Sequence, residues 1–451
     1  MSGYAEYREV NLPWLKAVPA HWEIRRNKNI FTEQKEIVGE RSADYTLLSL
    51  TLNGIIPRDM DGGGKFPESF DKYKIVKNGD MAFCLFDIDE TPRTVGLSGY
   101  NGMLTGAYTI MRVSNINARF IYYYYLALDN GKMLRPLYTG LRKTININTF
   151  QSTKVPVPPR EEQDQIVRFL DWKVSNINKL INIKKKEIKA IDALKRSMVS
   201  HAITRGLTTD APMKDSGVKW LGDIPAHWKI TKLRQILHPV SEKNHPEFPL
   251  LSVVREQGVI LRDIEDKEAN HNFIPDDLSG YKVVRKGQFA MNKMKAWQGS
   301  YGVSAHTGIV SPAYFIFDIA FENLEYFHYA IRSKVYVNFF AQASDGIRVG
   351  QWDLQMDKMK EIPFIVPPAD GQIAIVKHIK QALPQYDTAI EKLTEEVAVL
   401  EEYKNKIIAD IVTGKIDVRG IDIPEYEFVD EDIDNADEVM EQGVNEPLEE
   451  E

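Results

Sequence analysis

The sequence predicts an α+β protein: two pseudo-twofold-related α/β domains separated by an antiparallel pair of long coiled-coil helices. Three observations lead there. First, the chain contains itself twice. Trp14-Leu15-Lys16-Ala17-Val18-Pro19-Ala20-His21-Trp22 returns 206 residues later as Trp220-Leu221-Gly222-Asp223-Ile224-Pro225-Ala226-His227-Trp228. Second, Val157-Pro158-Pro159 returns 209 residues later as Val366-Pro367-Pro368, each time followed by a Gln and a long helical pattern. Third, the stretches between these matching ends have diverged. Duplication over so long a period points to two like structural units. A kept frame around changed middles suggests one scaffold presenting two different recognition surfaces.

The elements follow in order. Residues 1–22 form an N-terminal scaffold segment, and residues 23–157 a first divergent domain. Residues 158–206 are a central scaffold helix, and 207–228 a linker with the second lead-in segment. Residues 229–366 are the second divergent domain, 367–423 the C-terminal scaffold helix, and 424–451 an acidic tail expected to be disordered. Both middles mix short β-rich runs with turns, such as Leu47-Leu48-Ser49-Leu50 before Asn53-Gly54. Faint matches survive inside them. Tyr73-Lys74-Ile75-Val76-Lys77 resembles Tyr281-Lys282-Val283-Val284-Arg285, and Gly140-Leu141-Arg142 resembles Gly346-Ile347-Arg348. The two domains therefore share one fold with different loops.

The helices rest on a heptad. Leu170, Val174, Ile177, Ile181, Lys184, Ile188, Ile191, Lys195, Met198 and Ala202 recur in steps of four and three. Adding 209 gives a matching series from Ile379 to Ile411, and seventeen of the twenty positions are apolar or aromatic, which sets the period. Pro-Pro ends a strand and suits a helix start. Lys184, Lys195 and Lys404 interrupt the seam; stems packed on it with heads in water account for them. Pro384 has no counterpart in the first half and is expected to kink or interrupt the second helix. Two matched seams in one chain can bury each other, and antiparallel pairing would set the two domains apart.

Composition narrows the classes. The 43% apolar content suits a globular chain, and no run of about 18 apolar residues is available for a membrane span. The N-terminus lacks an export pattern, so a cytoplasmic location is expected. Cys84 is the single cysteine; it has no internal partner and reads as a small buried apolar residue. The net charge of −7 misleads, because residues 424–451 hold 13 Asp or Glu and no Lys or Arg. The remainder has 57 basic and 51 acidic residues, a body of about +6 that is compatible with a polyanion partner.

Catalytic patterns are missing. Gly62-Gly63-Gly64-Lys65-Phe66 lacks the spacing and hydroxyl of a phosphate-binding loop, and the nine His do not cluster at zinc spacing. Neither Pro158-Pro159-Arg160 nor Pro367-Pro368-Ala369 makes the Asn/Asp-Pro-Pro-aromatic turn that holds a flipped adenine. Asp87-Ile88-Asp89-Glu90 and Asp276-Asp277 read as solvated loops. No catalytic or metal site is assigned.

The duplicated Trp-Leu-x-x-(Val/Ile)-Pro-Ala-His-Trp segment, the Pro-Pro-x-x-x-Gln helix start and the ending Ile411-Val412-Thr413-Gly414-Lys415-Ile416-Asp417-Val418-Arg419 together resemble the specificity subunit (HsdS) of type I restriction-modification systems. The resemblance covers residues 10–423. It implies that the divergent regions are target recognition domains, each reading half of a bipartite site in double-stranded DNA. It implies that the helices space those domains and dock two modification subunits, which methylate adenine, and that restriction subunits join them. The chain itself would bind no cofactor; S-adenosylmethionine, ATP and magnesium would belong to the partners. The first half departs at Thr204-Arg205-Gly206-Leu207, where Thr-Gly-Lys-Ile is not kept. A two-headed protein-binding adaptor without DNA is the alternative; it would show neither a bipartite consensus nor a steep salt dependence.

Base reading needs forked donors or amides on loops, and phosphate contacts need Lys, Arg and small polar groups. In the first domain the candidates are Arg58 and Lys65 around a Gly-rich turn, Arg93 and Thr94 after Pro92, and Arg142 and Lys143 after Gly140. In the second they are Arg262, then Asn292, Lys293, Lys295, Trp297 and Gln298, then Arg348 and Gln351. The stretch 292–300 is foremost, because it joins donors to an aromatic before a turn. Tyr122-Tyr123-Tyr124-Tyr125 could stack bases, but its match to Tyr326-Phe327-His328-Tyr329 favours core packing. Trp22 and Trp228 read as packing anchors where each lead-in segment docks on the scaffold.

Overall fold

The structure is a computed structural model. It describes residues 3–431 except 53, 59–66, 68, 139–142, 209, 264–273, 276 and 349–350, with 346–348 and 351 as backbone only. The chain forms two compact units, Met1–Glu187 with Leu393–Glu451, and Ile188–Lys392. Its helices are α1 (Ala118–Asn130), α2 (Ile147–Ser152), α3 (Arg160–Arg205), α4 (Leu324–Ile331), α5 (Lys334–Gln342), α6 (Met356–Lys360) and α7 (Ala369–Val412).

The first unit holds a four-stranded antiparallel sheet in the order Phe31–Gln34, Thr109–Val113, Asp80–Phe83, Val95–Leu97. Phe31 and Phe83 from this sheet meet Tyr125 edge-on and Phe150 at tilted angles, with ring centroids 4.8–6.0 Å apart across the cluster. Asn117 starts α1 by accepting from the Arg119 and Phe120 amides. That helix buries Tyr123, Tyr124 and Tyr125, as core packing requires. The domain is closed where it opens: Glu23–Arg26 pairs with Lys154–Val157, placing Glu23 opposite Val157.

The second unit repeats this plan. Its sheet runs Leu237–Val240, Tyr314–Ile319, Phe289–Asn292, Tyr301–Val303, the same order in equivalent strands. Asn323 starts α4 by accepting from the Tyr326 amide, and Tyr326 and Phe327 are fully buried. Lys229–Lys232 pairs with Pro363–Val366, again closing the domain at its mouth. One close approach is duplicated to the atom. A Cβ on Gly102 would lie 2.3 Å from the Thr46 carbonyl oxygen, and one on Gly308 2.4 Å from that of Pro249. Only glycine fits there.

The frame motifs now have physical reasons. In each unit Pro-Pro ends the closing strand, and the next residue begins the long helix. The conserved spacing to Gln lets its buried amide turn back: Gln163 donates to the Pro158 carbonyl (2.8 Å) and Gln372 to that of Pro367 (2.9 Å). Trp22 and Trp228 are buried anchors. Each packs on a glycine just past a long helix, Trp228 on Gly206 and Trp22 on Gly414, both with φ +76°. The first-half ending that looked lost is therefore kept as a glycine cap, shifted by one residue. In the first unit Glu162 gathers three side chains of the N-terminal segment. It accepts from the Tyr4 hydroxyl (2.6 Å) and the Trp22 indole (2.9 Å), and pairs with His21 (2.7 Å).

α3 and α7 pair antiparallel within each unit. In the first, Lys404 donates to Asn178 (3.3 Å) and Lys184 pairs with Glu396 (2.9 Å); in the second, Lys195 pairs with Asp387 (2.5 Å). The seam lysines thus bridge the helices rather than simply reaching water. α7 also runs unbroken through Pro384. Pro384 and Lys380 both face solvent, so water can take the Lys380 carbonyl that loses its donor.

The tail differs from expectation as well. Residues 427–431 lie along α3. Ser175 donates to the Glu427 carbonyl (2.9 Å) and accepts from the Val429 amide (2.7 Å). Asn178 and Asn182 donate to the Val429 and Asp430 carbonyls. An acidic composition alone implies disorder; three buried polar side chains in need of partners override it here. The rest of the tail, 432–451, lies outside the described residues.

Candidate nucleic-acid interface

The equivalent sheets make the divergent loops comparable. In the first unit residues 84–94 join strand Asp80–Phe83 to Val95–Leu97; in the second, 293–300 join Phe289–Asn292 to Tyr301–Val303. The first connection carries Asp87, Asp89, Glu90 and one Arg; the second carries Lys293 and Lys295 and no acid. One place in one fold has opposite charge in its two copies.

In the second unit the loop is braced by a neighbouring hairpin. Ala296–Gln298 makes a single 3₁₀ turn, ended by Gly299 at φ +95°. The turn presents Trp297, whose ring packs on Trp352 (centroids 5.2 Å, 32° between planes). Trp352 sits in the hairpin of Ser344–Arg348 and Gln351–Leu354. Lys293 reaches that hairpin too, pairing with Asp353 (2.7 Å) and standing 6.0 Å over the Phe315 ring. Lys295 is exposed, with no ion pair among the described residues. The Trp297 indole N–H has no hydrogen-bond partner among them either. Gln298 is half-buried. Arg262 lies near the Tyr314 hydroxyl; burial raises the Tyr314 pKa and the arginine opposes the rise.

Asn292 is corrected. Its amide donates to the Tyr314 hydroxyl (3.3 Å) and accepts from the Met294 amide (3.0 Å), so it holds the loop instead of offering a free fork to adenine. The hairpin tip places the backbones of Arg348 and Gln351 opposite each other. Their side chains lie outside the described residues. Trp352, Phe315 and Tyr314 were missed; a Trp two residues after Gly350 in the sequence was the available signal.

The first unit corrects more. Thr94 is buried, and its hydroxyl (2.6 Å) and amide (3.0 Å) both donate to Asp129. Arg93 donates to Asp129 (3.2 Å) and Asn130 (2.8 Å). Asp129 is fully buried and needs these donors, so both side chains are engaged within the domain. Lys143 pairs with Asp89 (3.4 Å) and with Glu90, which raises its pKa; Asp89, bonded by the Tyr138 hydroxyl and then Lys143, is lowered. The loop read as solvated is thus tied to a neighbouring loop. Arg58 follows the hairpin of Leu48–Thr51 and Gly54–Pro57, its amide bonded to Leu47 (2.9 Å). Arg262 is its structural twin, with its amide bonded to Leu250 (2.9 Å). Lys65 and Arg142 lie outside the described residues.

Among the described residues no three His, Cys, Asp or Glu side chains group as metal ligands, and no helix is long and apolar enough to cross a membrane. Cys84 is buried, which pushes its thiol up to about 11.

Comparison with known proteins shows what the chain is similar to. Residues 70–190 match the family model described as "Type I restriction modification DNA specificity domain". The type I restriction enzyme MjaVIII specificity subunit of Methanocaldococcus jannaschii is 24% identical over 446 residues, spanning 92% of this chain and 98% of its own. A chain solved in work on complex assembly and conformational transition of the type I R-M system has the same fold. Its TM-score is 0.55 at 12% identity, over 88% of this chain and 99% of that one. Over 92% of its length the chain is thus similar to a type I restriction enzyme specificity subunit, and it shares the fold of a chain from a type I R-M system.

Proposed function

We propose that this chain is the subunit that reads DNA sequence in a type I restriction-modification enzyme. Each unit reads one half of a bipartite, asymmetric target. Two modification subunits dock on the scaffold helices and methylate adenine, and restriction subunits add to that assembly. The chain does no catalysis; S-adenosylmethionine, ATP and magnesium act in the partners.

The observation that carries this reading is the divergence of two loops on equivalent sheets, acidic at 84–94 and basic at 293–300, where Trp297 packs on Trp352. Surfaces that bound one shared partner would be held alike; two heads that read different base sequences need different loops. In the second unit the exposed Lys295 suits a phosphate, and the Trp297–Trp352 pair beside it suits stacking against a base or sugar. Docking on the helices is supported by exposed apolar side chains there, Leu180, Ile183, Val399 and Tyr403.

The test is to combine the chain with a modification subunit, add a random duplex pool, and map methylated adenines by sequencing. A two-part consensus is expected, and exchanging residues 293–299 should change one part only. Methylation by the isolated chain, or a consensus in one block, would overturn the reading.

A further inference from the structure

The tail groove of the first unit carries an inference that does not rest on DNA reading. Ser175, Asn178 and Asn182 stand at i, i+3 and i+7 on α3, with exposures of 2%, 5% and 7%. Their hydrogen bonds to residues 427–430 go to main-chain atoms. They would therefore hold an extended segment of any sequence, as a sheet edge does.

Side chains supply selection. Arg119 covers the Phe428 ring at 5.4 Å, and the Glu431 carboxylate pairs with Lys185 (2.8 Å) and with Lys404. Beside the seated segment a cavity of about 320 Å³ remains, bounded by Arg93, Arg119, Tyr122, Tyr123 and Phe428 among others. The positions 209 residues on are Pro384, Asp387 and Glu391, so the polar stripe is no part of the duplicated frame.

We propose that this groove is a binding site for an extended peptide with an aromatic residue and, three positions later, a carboxylate. Residues 427–431 are its tethered ligand, and they keep it closed to partner segments of the same chemistry. Tethering gives the tail a high effective concentration, so a free peptide enters only when the tail is absent or weakened.

The probe is a labelled peptide of residues 424–431, followed by fluorescence anisotropy. A chain ending at Ile423 should bind it, and the intact chain should bind it at least about tenfold more weakly. Phe428→Ala and Glu431→Lys peptides should each lose about tenfold in affinity for the shortened chain. Equal binding by all three peptides, or none by a shortened chain with intact circular dichroism, refutes the site. Should shortening unfold the unit, the full-length Glu431→Lys chain decides. Tighter binding of the peptide than by the wild-type chain supports the proposal, and equal binding refutes it.

Discussion

Glu162→Ala is expected to loosen the first unit alone. The carboxylate is 5% exposed and receives the Tyr4 hydroxyl and the Trp22 indole on one oxygen and His21 on the other. Alanine leaves two buried donors without an acceptor, at roughly 1–3 kcal/mol each. Relief of the buried charge offsets part of that, so a net loss of about 2–4 kcal/mol is expected. Glu162→Gln keeps one acceptor and should cost about 1 kcal/mol. Hydrogen exchange under native conditions is the suitable assay, because it resolves each unit within one chain. Protection in peptides covering residues 14–26 and 160–170 should fall by roughly thirtyfold to a thousandfold, at about 1.4 kcal/mol per decade. The equivalent position in the second unit is Gly371, so peptides covering residues 220–232 serve as the internal control. A change below threefold near Trp22, or an equal loss around Trp228, would refute the assignment of Glu162 as the clamp.

Lys295→Ala should weaken binding to all duplexes alike and lower the salt slope by about 1, as measured by titration at several salt concentrations. Lys293→Ala should change the slope less, because that ammonium already faces Asp353. Gly414→Ala should destabilise the first unit by more than about 1 kcal/mol in urea unfolding: φ is +76°, and the new Cβ would meet Pro19 at 2.4 Å. His328 accepts from the Val303 amide (3.3 Å), and burial, then Arg332, lowers its pKa to about 4. Its unfolded form takes a proton near pH 6.5, so its contribution is present above that value and lost as pH falls toward 4. Hydrogen exchange of peptides from α4 should show this loss, and His328→Gln should flatten it.

The frame was legible because it is written twice. A Gln five residues after a proline means little once; at 163 and again at 372 it marks an amide that must close the same carbonyl. The heptad was legible for the same reason. The tail was not, because Ser175, Asn178 and Asn182 flank the seam and read as solvent-facing until residues 427–430 are seen against them. The contact residues were least legible. Arg93 and Thr94 look like phosphate ligands in sequence, yet their partner Asp129 lies 35 residues beyond Thr94. Asn292 looks like an adenine reader, yet Tyr314 and Met294 take its amide. A local pattern supplies the donor; only the fold says who has already claimed it.

The closing ladders explain why change collects where it does. Glu23 sits opposite Val157 and Lys229 opposite Val366, so each domain returns the chain to the point at which it left the frame. Beyond that mouth nothing in the sequence of a loop is needed to start the helix, because Gln163 and Gln372 complete the start with the prolines themselves. The sheet order and the glycines at 102 and 308 hold the interior of each domain. What remains free is the connection after strand Asp80–Phe83 and its twin after Phe289–Asn292. Even there one constraint persists, since each loop must satisfy its own charge. The first does so with Lys143 against Asp89 and Glu90, the second with Lys293 against Asp353. The same two loops meet in both units with the signs exchanged. A surface that can reverse its polarity without disturbing its supports is suited to take on a new base sequence.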